Sequence, residues 1–304
     1  MSDGWFDNGW FDKGWVEKGG VEDTVPELPE VETIKRDLEK EVVGKRIRQV
    51  EVTGMRSIRR HPNKKHFIGK LEGRKVTSVE RRGKYLLVRL EGGDVLVVHL
   101  GMSGQLLKAK GGPKDPAPKH THVVVTFTQG GALRFVDPRT FGELFVTTPD
   151  ELEEQVPELA HLGFDPLSDQ MSWNRFGDLL HARKTKLKPL LMDQRFVAGL
   201  GNIYSDEILW AAGLRYDRSS DRLTSQEVRR LWRAMIETLQ DAVKHRGSSL
   251  SDEQYVDLYG KMGEYQKEHK VYDREGQACR RCRSTIAKVK VNGRSSFLCP
   301  QCQV

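Results

Sequence analysis

The four cysteines of this chain lie near its C-terminal end, in two pairs with two residues inside each pair. Cys279 and Cys282 form the first pair and Cys299 and Cys302 the second, with 16 residues between the pairs. Each C-x₂-C pair can place two thiolates on one tight turn, about 2.3 Å from a shared tetrahedral Zn²⁺. The spacing therefore predicts one structural zinc site. Two disulfides are the alternative, but the sequence shows no other cysteine and no secretory leader, so we expect a reducing compartment and the metal.

The segment between the cysteine pairs has the pattern of a β-hairpin. Residues 287–298 form two short alternating runs around Asn292 and Gly293, and Asn-Gly favours a hairpin because both turn positions need a positive φ. Together with the cysteines, this pattern predicts a zinc ribbon, a hairpin held by the metal at its open end. Such a ribbon is structural and does not by itself identify a function.

The charge of the chain is positive and unevenly distributed. The net charge is +7 over 304 residues, although residues 1–25 alone carry −4, so that residues 26–304 carry +11. Residues 260–304, around the predicted hairpin, carry +6. This cationic surface favours a polyanionic partner, most simply nucleic acid, although a solvated basic surface explains the charge equally well. Because the sequence has no long apolar run, we expect no membrane partner and no membrane span.

The first 25 residues differ from the rest of the chain. Units that start with Gly-Trp at positions 4, 9 and 14 recur with a five-residue period, which fits neither a helix nor a sandwich strand. The segment holds three of the six tryptophans but has no core of its own. We therefore expect residues 1–25 to be a disordered extension.

From residue 26 onwards the pattern predicts an α+β fold. A helix begins near Pro29, where a proline suits the first turn, and ends at Gly44. Alternating strands follow, and glycine turns at 92–93 and 129–131 divide them into two hairpins. This part of the chain is mainly β with one leading helix.

The second half of the chain is helical in pattern. Thr224 and Glu227 form a capping box for a long helix that ends at Gly247. We therefore expect a succession of structural units: a β-rich domain at 26–150, a linker at 151–165, a helical domain at 166–268 and a zinc finger at 269–304.

Five short motifs combine residue types that active sites and nucleic-acid interfaces use. Each alone has a simpler structural explanation, because acids and prolines start helices and Gly-rich turns are common in loops. The last motif is a Gly-rich turn that opens a helix and suits a phosphate. In chain order the motifs are PELPEVET at 26–33, RRGKYL at 81–86, HLGMSG at 99–104, DPRTFG at 137–142 and GLGNIYSDE at 199–207.

In this order, followed by the zinc ribbon, the motifs make the chain resemble the formamidopyrimidine-DNA glycosylase family of base-excision repair enzymes from Pro26 to Val304. The resemblance implies an N-terminal β-sandwich with a leading helix, a helix-two-turn-helix domain and a zinc finger. It implies duplex DNA containing oxidised purines as the partner and one structural Zn²⁺ as the cofactor. It also implies a monomer with a cytoplasmic, nucleoid-associated location in a bacterium.

The resemblance assigns the catalytic chemistry to the start of the first motif. Pro26 would be the nucleophile, whose secondary amine attacks C1′ of the damaged nucleotide, expels the base and forms a Schiff base. β,δ-Elimination would then cleave both flanking phosphates. Glu27 would be the general acid and base at the sugar. Lys84 would contact the phosphate of the lesion, and Asn202 and Arg294 would hold the backbone around it.

The resemblance also implies how the gap left by a flipped base is filled. Met102, Arg139 and Phe141 match the family's inserted side chains: a flexible apolar residue, a donor for the orphaned cytosine and a wedge. Because both loops are flanked by glycines, we expect Met102 and Phe141 to be exposed there rather than packed in the core.

Further DNA contacts are implied around these loops. His99 begins the first of them, and the segment Gly247–Tyr265 matches the family's lesion-capping loop. One of three neighbouring lysines would contact phosphate; Lys184 is the candidate, and the sequence does not decide between it, Lys186 and Lys188.

Two departures from the family pattern bear on function. Thr140 stands where many relatives carry a second basic residue, which weakens the grip on phosphate. More seriously, Pro26 is inside an amide, whose delocalised lone pair is not nucleophilic. We therefore expect residues 1–25 to be absent from the working enzyme, either because translation starts at the codon of Val25 or because a pro-segment is removed.

Three functions remain to be distinguished. The first is a bifunctional glycosylase and abasic-site lyase acting on 8-oxoguanine and formamidopyrimidines. The second is a non-catalytic DNA-binding protein, which applies if residues 1–25 are retained. The third is specificity for oxidised pyrimidines, as in the sister endonuclease VIII branch, which typically begins Pro-Glu-Gly-Pro; the Pro-Glu-Leu-Pro of this chain favours the purine branch.

Overall fold

The computed structural model describes residues 26–109, 115–250 and 254–304, and the predicted extension at 1–25 lies outside these residues. The structure is α+β, as the sequence predicts. Its helices are α1 (Leu28–Val42), α2 (Lys64–Leu71), α3 (Pro149–Gln155), α4 (Pro157–Ala160), α5 (Trp173–His181), α6 (Leu187–Met192), α7 (Asn202–Ala212) and α8 (Ser225–Lys244). Its strands are β1 (Ile47–Val52), β2 (Val76–Arg82), β3 (Tyr85–Leu90), β4 (Val95–His99), β5 (Gln105–Lys108), β6 (Thr121–Phe127), β7 (Ala132–Val136), β8 (Glu143–Thr147), β9 (Ala287–Val291) and β10 (Arg294–Leu298).

Two four-stranded antiparallel sheets form the predicted β-sandwich. One sheet has the strand order β1-β6-β7-β5 and the other has the order β2-β3-β4-β8. The two predicted hairpins are β3–β4 and β6–β7, and both are confirmed. Side chains from both sheets, such as Leu86, Val98 and Phe135, are buried in one core because alternate residues of each strand face inwards.

Helix α1 belongs to both halves of the molecule. Its apolar face, which includes Val31, Ile34 and Leu38, is buried in the core of the sandwich. The same helix also packs against β2 and against α8 of the helical half. The first residues of α1 therefore lie where the two halves of the chain meet.

The segment predicted as a linker is folded. Residues 149–160 form α3 and α4, and their apolar residues Leu152, Val156 and Leu159 pack with Val97 and Phe145 on the outer face of a sheet. The prediction missed this because α3 and α4 are short and strongly acidic, so their pattern resembles a solvated connection.

The helical half is built around α7 and α8. The capping box that precedes α8 is confirmed, because Thr224 Oγ1 accepts from the backbone N–H of Glu227 at 3.3 Å and the Glu227 carboxylate accepts from that of Thr224 at 2.8 Å. Leu231 and Met235 of α8 pack with Leu209 of α7 in the second core. Within the described ranges, each helix is too short or too polar to cross a bilayer.

The zinc-ribbon hairpin has the predicted turn and is attached to α7. Asn292 and Gly293 have φ values of 49° and 79°, as an Asn-Gly hairpin turn requires. The carboxylate of Asp206 accepts from Ser296 Oγ at 2.7 Å and from the Phe297 N–H at 2.9 Å. These bonds fix β10 against the helix.

A buried cluster of charges joins the sandwich to the helical half. The guanidinium of Arg81, at the end of β2, donates to both carboxylate oxygens of Asp165, with the Nη2–Oδ1 distance 3.0 Å, and through Nε to Glu32 of α1 at 2.8 Å. The Arg81 side chain is only 3% exposed. Removal of the cation would leave the buried Asp165 carboxylate without its counter-charge and Glu32 with only Arg36 as an ionic partner.

We therefore expect Arg81→Leu to lower the free energy of unfolding by about 3–5 kcal/mol, as loss of one partner from a buried pair does. Arg89→Leu is the matched control, because Arg89 pairs with Glu80 on the exposed surface, where such pairs contribute about 0–1 kcal/mol. Urea denaturation followed by tryptophan fluorescence measures both. Equal midpoints for the two variants would contradict the importance of the buried cluster.

Candidate active site and nucleic-acid interface

The carboxylate of Glu27 is bound at the amino end of α7. Its two oxygens accept from the N–H groups of Gly201 at 2.7 Å, Ile203 at 2.8 Å and Tyr204 at 3.4 Å. These N–H groups have no partner inside the helix, and the positive end of the helix dipole favours an anion there. A Cβ on Gly201 would lie 2.6 Å from the Glu27 carboxyl group, so the close approach requires glycine.

This contact corrects one prediction from sequence. The pattern of segment 199–207 predicts that its N–H groups bind a phosphate, but in the described structure they bind Glu27. Pro26, next to Glu27, is buried at the same place, and Leu28 N–H donates to Gly199 O at 2.9 Å. The amino end of α7 therefore holds the start of the first motif.

A second carboxylate lies one turn further along α1. Glu30 accepts from the Tyr204 hydroxyl at 2.6 Å, from the Ser248 N–H at 2.7 Å and from the Glu27 N–H at 2.9 Å. Burial, together with the nearby charge of Glu27, raises the pKa of Glu30 to about 7. This role of Glu30 was not predicted, although the residue lies in the first motif. Its partners are far along the chain and no local signal links them.

Lys84 brings a positive charge to these two carboxylates. It lies at the turn of the β2–β3 hairpin and is half-buried. Burial lowers the pKa of Lys84, while the charges of Glu27 and Glu30 act in the opposite direction. Its ammonium has no hydrogen-bond partner in the part of the chain that the structure describes. The cation is therefore available to an anionic ligand.

The zinc-ribbon hairpin supplies two further predicted residues to the same region. Arg294, which follows the Asn-Gly turn, is exposed, and its charge is one of the influences that lower the pKa of Lys84, after burial. Asn202 donates through Nδ2 to Ser295 O at 3.0 Å, and its buried Oδ1 has no hydrogen-bond partner among the described residues. The structure thus brings Lys84, Asn202 and Arg294 together around Glu27.

Two neighbouring loops carry the residues predicted to fill a gap in DNA. In the first loop (residues 100–104), Met102 is 3% exposed, which contradicts the prediction that the glycines expose it. The N–H of Gly104 bonds to Leu100 O at 2.9 Å, so the loop closes as a tight turn instead of extending into solvent. In the second loop (residues 137–142), Arg139 is exposed and its guanidinium carbon lies 5.1 Å from the centre of the half-buried Phe141 ring.

His99 and the three lysines differ in what they can offer to DNA. His99 is half-buried beside Tyr85, with ring centroids 4.6 Å apart, and burial lowers its pKa to about 4, so the imidazole is neutral at pH 7. Lys188 is buried and donates to Asp206 at 2.7 Å, which occupies its ammonium. Lys184 and Lys186 are exposed and can reach a ligand.

The four cysteines form a site that fits a tetrahedral metal. Their sulfur atoms all lie within 4.8 Å of one another, with Cys282 and Cys299 3.4 Å apart and Cys279 and Cys302 3.9 Å apart. All four are free thiols, so the disulfide alternative is not present. Sulfur atoms that ligate one zinc at about 2.3 Å are separated by similar distances. The donor set and the spacing fit one structural Zn²⁺.

Backbone and side-chain donors surround these sulfur atoms. Trp210 Nε1 and the N–H of Arg281 each lie 3.4 Å from Cys279 Sγ, and the N–H of Cys302 lies 3.4 Å from Cys299 Sγ. Donors at this distance favour thiolates over thiols, as metal ligation requires. Cys279 and Cys299 therefore each have at least one donor that a thiolate can accept from.

Three family models match successive parts of the chain. Residues 25–144 match the formamidopyrimidine-DNA glycosylase N-terminal domain, residues 162–254 match the formamidopyrimidine-DNA glycosylase H2TH domain, and residues 276–304 match the zinc finger found in FPG and IleRS. Together these matches cover most of the described chain.

Full-length relatives and solved structures agree with the models. The formamidopyrimidine-DNA glycosylase of Pelotomaculum thermopropionicum is 41% identical over 279 residues, covering 92% of this chain and 99% of the relative. The MutM (FPG) protein of Thermus thermophilus is 41% identical with a TM-score of 0.80, covering 91% of this chain and 98% of that chain. Lactococcus lactis Fpg in complex with DNA that contains an abasic site is 35% identical with a TM-score of 0.82, covering 91% and 99%.

The raised pKa of Glu30 predicts a pH dependence of stability. The folded protein binds this proton more tightly than the unfolded chain, so the stabilisation is complete below pH 4.5 and is lost as the pH rises through about 7. Relative to Glu30→Gln, whose side chain stays neutral, the wild type should lose on the order of 3 kcal/mol of unfolding free energy over this range.

Urea denaturation of both proteins from pH 4.5 to 8 measures this difference. Glu153→Gln, at an exposed carboxylate of α3, is the control for the loss of one carboxylate from the surface. A constant difference for Glu30→Gln would show that Glu30 titrates normally.

The cysteine cluster predicts the effect of metal removal. Cys299→Ser, or treatment with a chelator, should remove one zinc per chain and lower the affinity for duplex DNA at least about tenfold, because the basic hairpin loses its fold. Zinc analysis by mass spectrometry and DNA binding by fluorescence anisotropy measure both effects. Thr285→Ala, at an exposed position between the cysteine pairs, should change neither. A wild type that contains no zinc would contradict the assignment.

Proposed function

The chain belongs to the formamidopyrimidine-DNA glycosylase family, and we propose that it excises oxidised purines from duplex DNA as a glycosylase and abasic-site lyase. The observation that carries this proposal is the burial of Pro26 and Glu27 at the amino end of α7, with Lys84 beside them. This arrangement places a proline nitrogen, an acid with a raised pKa and a cation within one site.

The proposed nucleophile is the secondary amine of Pro26. Its lone pair forms a bond to C1′ of the damaged nucleotide, and the bond from C1′ to the base breaks with its electron pair. Loss of the amine proton and opening of the sugar give an iminium, which acts as an electron sink and acidifies the C2′ proton. Removal of that proton expels the 3′ phosphate, and a second elimination expels the 5′ phosphate.

Glu27 is the proposed general acid and base at the sugar. Burial raises the pKa of Glu27, while Lys84 and the α7 N–H groups act in the opposite direction. These opposing influences allow the group to hold a proton for the sugar ring oxygen and then to accept one. The hydrogen bonds to α7 fix the direction in which the carboxyl group faces.

The proposed phosphate contacts surround this pair. Lys84, Asn202 and Arg294 are brought together by the β2–β3 turn, the start of α7 and the zinc-ribbon hairpin, and all three can donate to phosphate oxygens. Lys184 is proposed as a further contact because it is exposed, whereas Lys188 is occupied by Asp206.

The two loops at residues 100–104 and 137–142 are proposed to fill the gap left by the flipped base. Phe141 is the wedge and Arg139 is the donor to the orphaned cytosine. Met102 must leave its buried position when DNA binds. His99, neutral and half-buried at the base of the first loop, is proposed to contact DNA as a hydrogen-bonding partner rather than as a charge.

The proposed substrates are 8-oxoguanine and formamidopyrimidines opposite cytosine. Solved Lactococcus lactis Fpg complexes contain an abasic site or Fapy-dG in their DNA, and they share this fold over 91% of the chain.

We propose that the protein acts as a monomer on DNA in the cytoplasm of a bacterium. Catalysis requires a free amine, so the working form is proposed to begin at Pro26.

Borohydride trapping on an 8-oxoguanine:cytosine duplex tests this function, because only a Schiff base is reduced to a covalent protein–DNA adduct. The protein that begins at Pro26 should be trapped, and the 304-residue chain should bind without being trapped. Pro26→Gly in the shorter protein is the matched variant, because it replaces the secondary amine with a primary amine. We expect it to release the base at a lower rate than the protein that begins at Pro26.

Two outcomes would overturn parts of this proposal. Binding by both proteins without any trapping would make the chain a lesion-binding relative without chemistry. Trapping on oxidised pyrimidines in preference to 8-oxoguanine would move it to the specificity of endonuclease VIII.

A further inference from the structure

One buried carboxylate connects the two loops proposed to enter the DNA. Asp137 begins the second loop and is 0% exposed. Its Oδ1 accepts from Ser103 Oγ of the first loop at 2.5 Å, and its Oδ2 accepts from the N–H of Gly142 at 2.7 Å. The N–H of Arg139 also points to Oδ1, at 3.3 Å. A single side chain therefore binds donors from both loops.

The Ser103 hydroxyl is shared between the loops as well. It is 3% exposed, donates to Asp137 and accepts from the N–H of Arg139 at 3.3 Å. A charge-assisted O–H···O⁻ bond of this length is among the stronger hydrogen bonds in proteins. Because both partners are buried, neither can exchange the other for water without cost.

The backbones of the two loops also touch. Gly101 has a φ of +62°, and a Cβ built on it would lie 2.7 Å from Gly142 N and 2.7 Å from the carbonyl carbon of Phe141. Gly101 is therefore needed both for the conformation of the first loop and for the close approach of the second. The loops form one packed unit, with Met102 next to Ser103 and Phe141 next to Gly142.

The position of the Ser103–Asp137 bond relative to the three inserted side chains has a functional consequence. Met102 precedes Ser103 directly, and Arg139 and Phe141 lie within the stretch that Asp137 closes by bonding to Gly142. A displacement of either loop is transmitted through the Ser103–Asp137 bond to the other. The bond therefore links the two backbone segments that carry the inserted side chains.

We propose that Ser103 and Asp137 are positioning residues that couple the two loops, so that Met102, Arg139 and Phe141 enter the DNA as one unit. This inference rests on the proposed function. The two residues do not touch the reacting atoms; they act through the side chains beside them. Loss of the bond should impair the opening of the duplex and leave the Schiff-base chemistry at Pro26 intact.

The principal variant is Ser103→Ala, with Ser57→Ala as its matched control. Ser57 is also a buried serine, but its Oγ has no hydrogen-bond partner among the described residues. The first readout uses the zinc-loaded 304-residue chain and a duplex with an abasic-site analogue next to 2-aminopurine, whose fluorescence rises when its stacking is disrupted. We expect Ser103→Ala to lower this rise at saturating protein, and Ser57→Ala to leave it unchanged.

The second readout separates duplex opening from chemistry. In the protein that begins at Pro26, Ser103→Ala should slow single-turnover excision of 8-oxoguanine about tenfold, the effect expected for one hydrogen bond to a buried charge. Borohydride trapping on a single-stranded abasic site, which needs no wedge, should change less than about twofold. Asp137→Asn keeps one acceptor and should give a smaller loss than Ser103→Ala.

A double-mutant cycle decides whether Ser103 acts through the wedge. In a Phe141→Ala background, Ser103→Ala should cause a smaller loss of excision rate than in the wild type, because one of the three side chains that it positions is gone. Fully additive losses would overturn the inference, as would a Ser103→Ala protein that matches Ser57→Ala in fluorescence and excision. A wild type that excises no oxidised purine would overturn the proposed function and, with it, this inference. An active wild type with additive losses would overturn this inference alone, so the two failures can be told apart.

Discussion

The arrangement of the site depends on one contact, the carboxylate of Glu27 at the amino end of α7. Burial of a charged group is unfavourable, and here three N–H groups and the helix dipole offset part of that cost. Because Gly201 has no Cβ, the start of α1 approaches the helix closely. Pro26, the residue before Glu27, is thereby held near the start of α7, where the sandwich and the helical half meet.

Helix α7 also carries the zinc ribbon, so one helix determines how both ends of the described chain meet. Its first turn binds Glu27, and one turn further along Asp206 binds the backbone and side chains of β10. Glu207, the next residue, accepts from three consecutive N–H groups at 270–272. The metal shapes the ribbon, but the acids of α7 place Arg294 near Lys84.

Local sequence patterns predicted most of the helices and strands. The candidate site residues were predicted from the resemblance of the motifs to those of a known family. The Asn292-Gly293 turn, the Thr224 capping box and the cysteine spacing are set by residues close together in sequence, and the structure has all three. The partner of Glu27, the burial of Met102 and the occupation of Lys188 by Asp206 were not predictable, because each depends on residues that meet only in the folded chain. The folded segment at 149–160 was missed for a different reason, since its few apolar residues are hidden among acids.

The distance along the chain between the parts of the site has a consequence for protein synthesis. Glu27 leaves the ribosome 174 residues before the glycine to which it binds, which corresponds to roughly 10–35 s at typical elongation rates. The hairpin with Arg294 and the second cysteine pair follows later still. A nascent or prematurely terminated chain therefore has the first motif without α7, which binds Glu27, or without the hairpin that carries Arg294. A complete site for DNA-strand cleavage thus requires that α7 and the zinc-ribbon hairpin have both been synthesised.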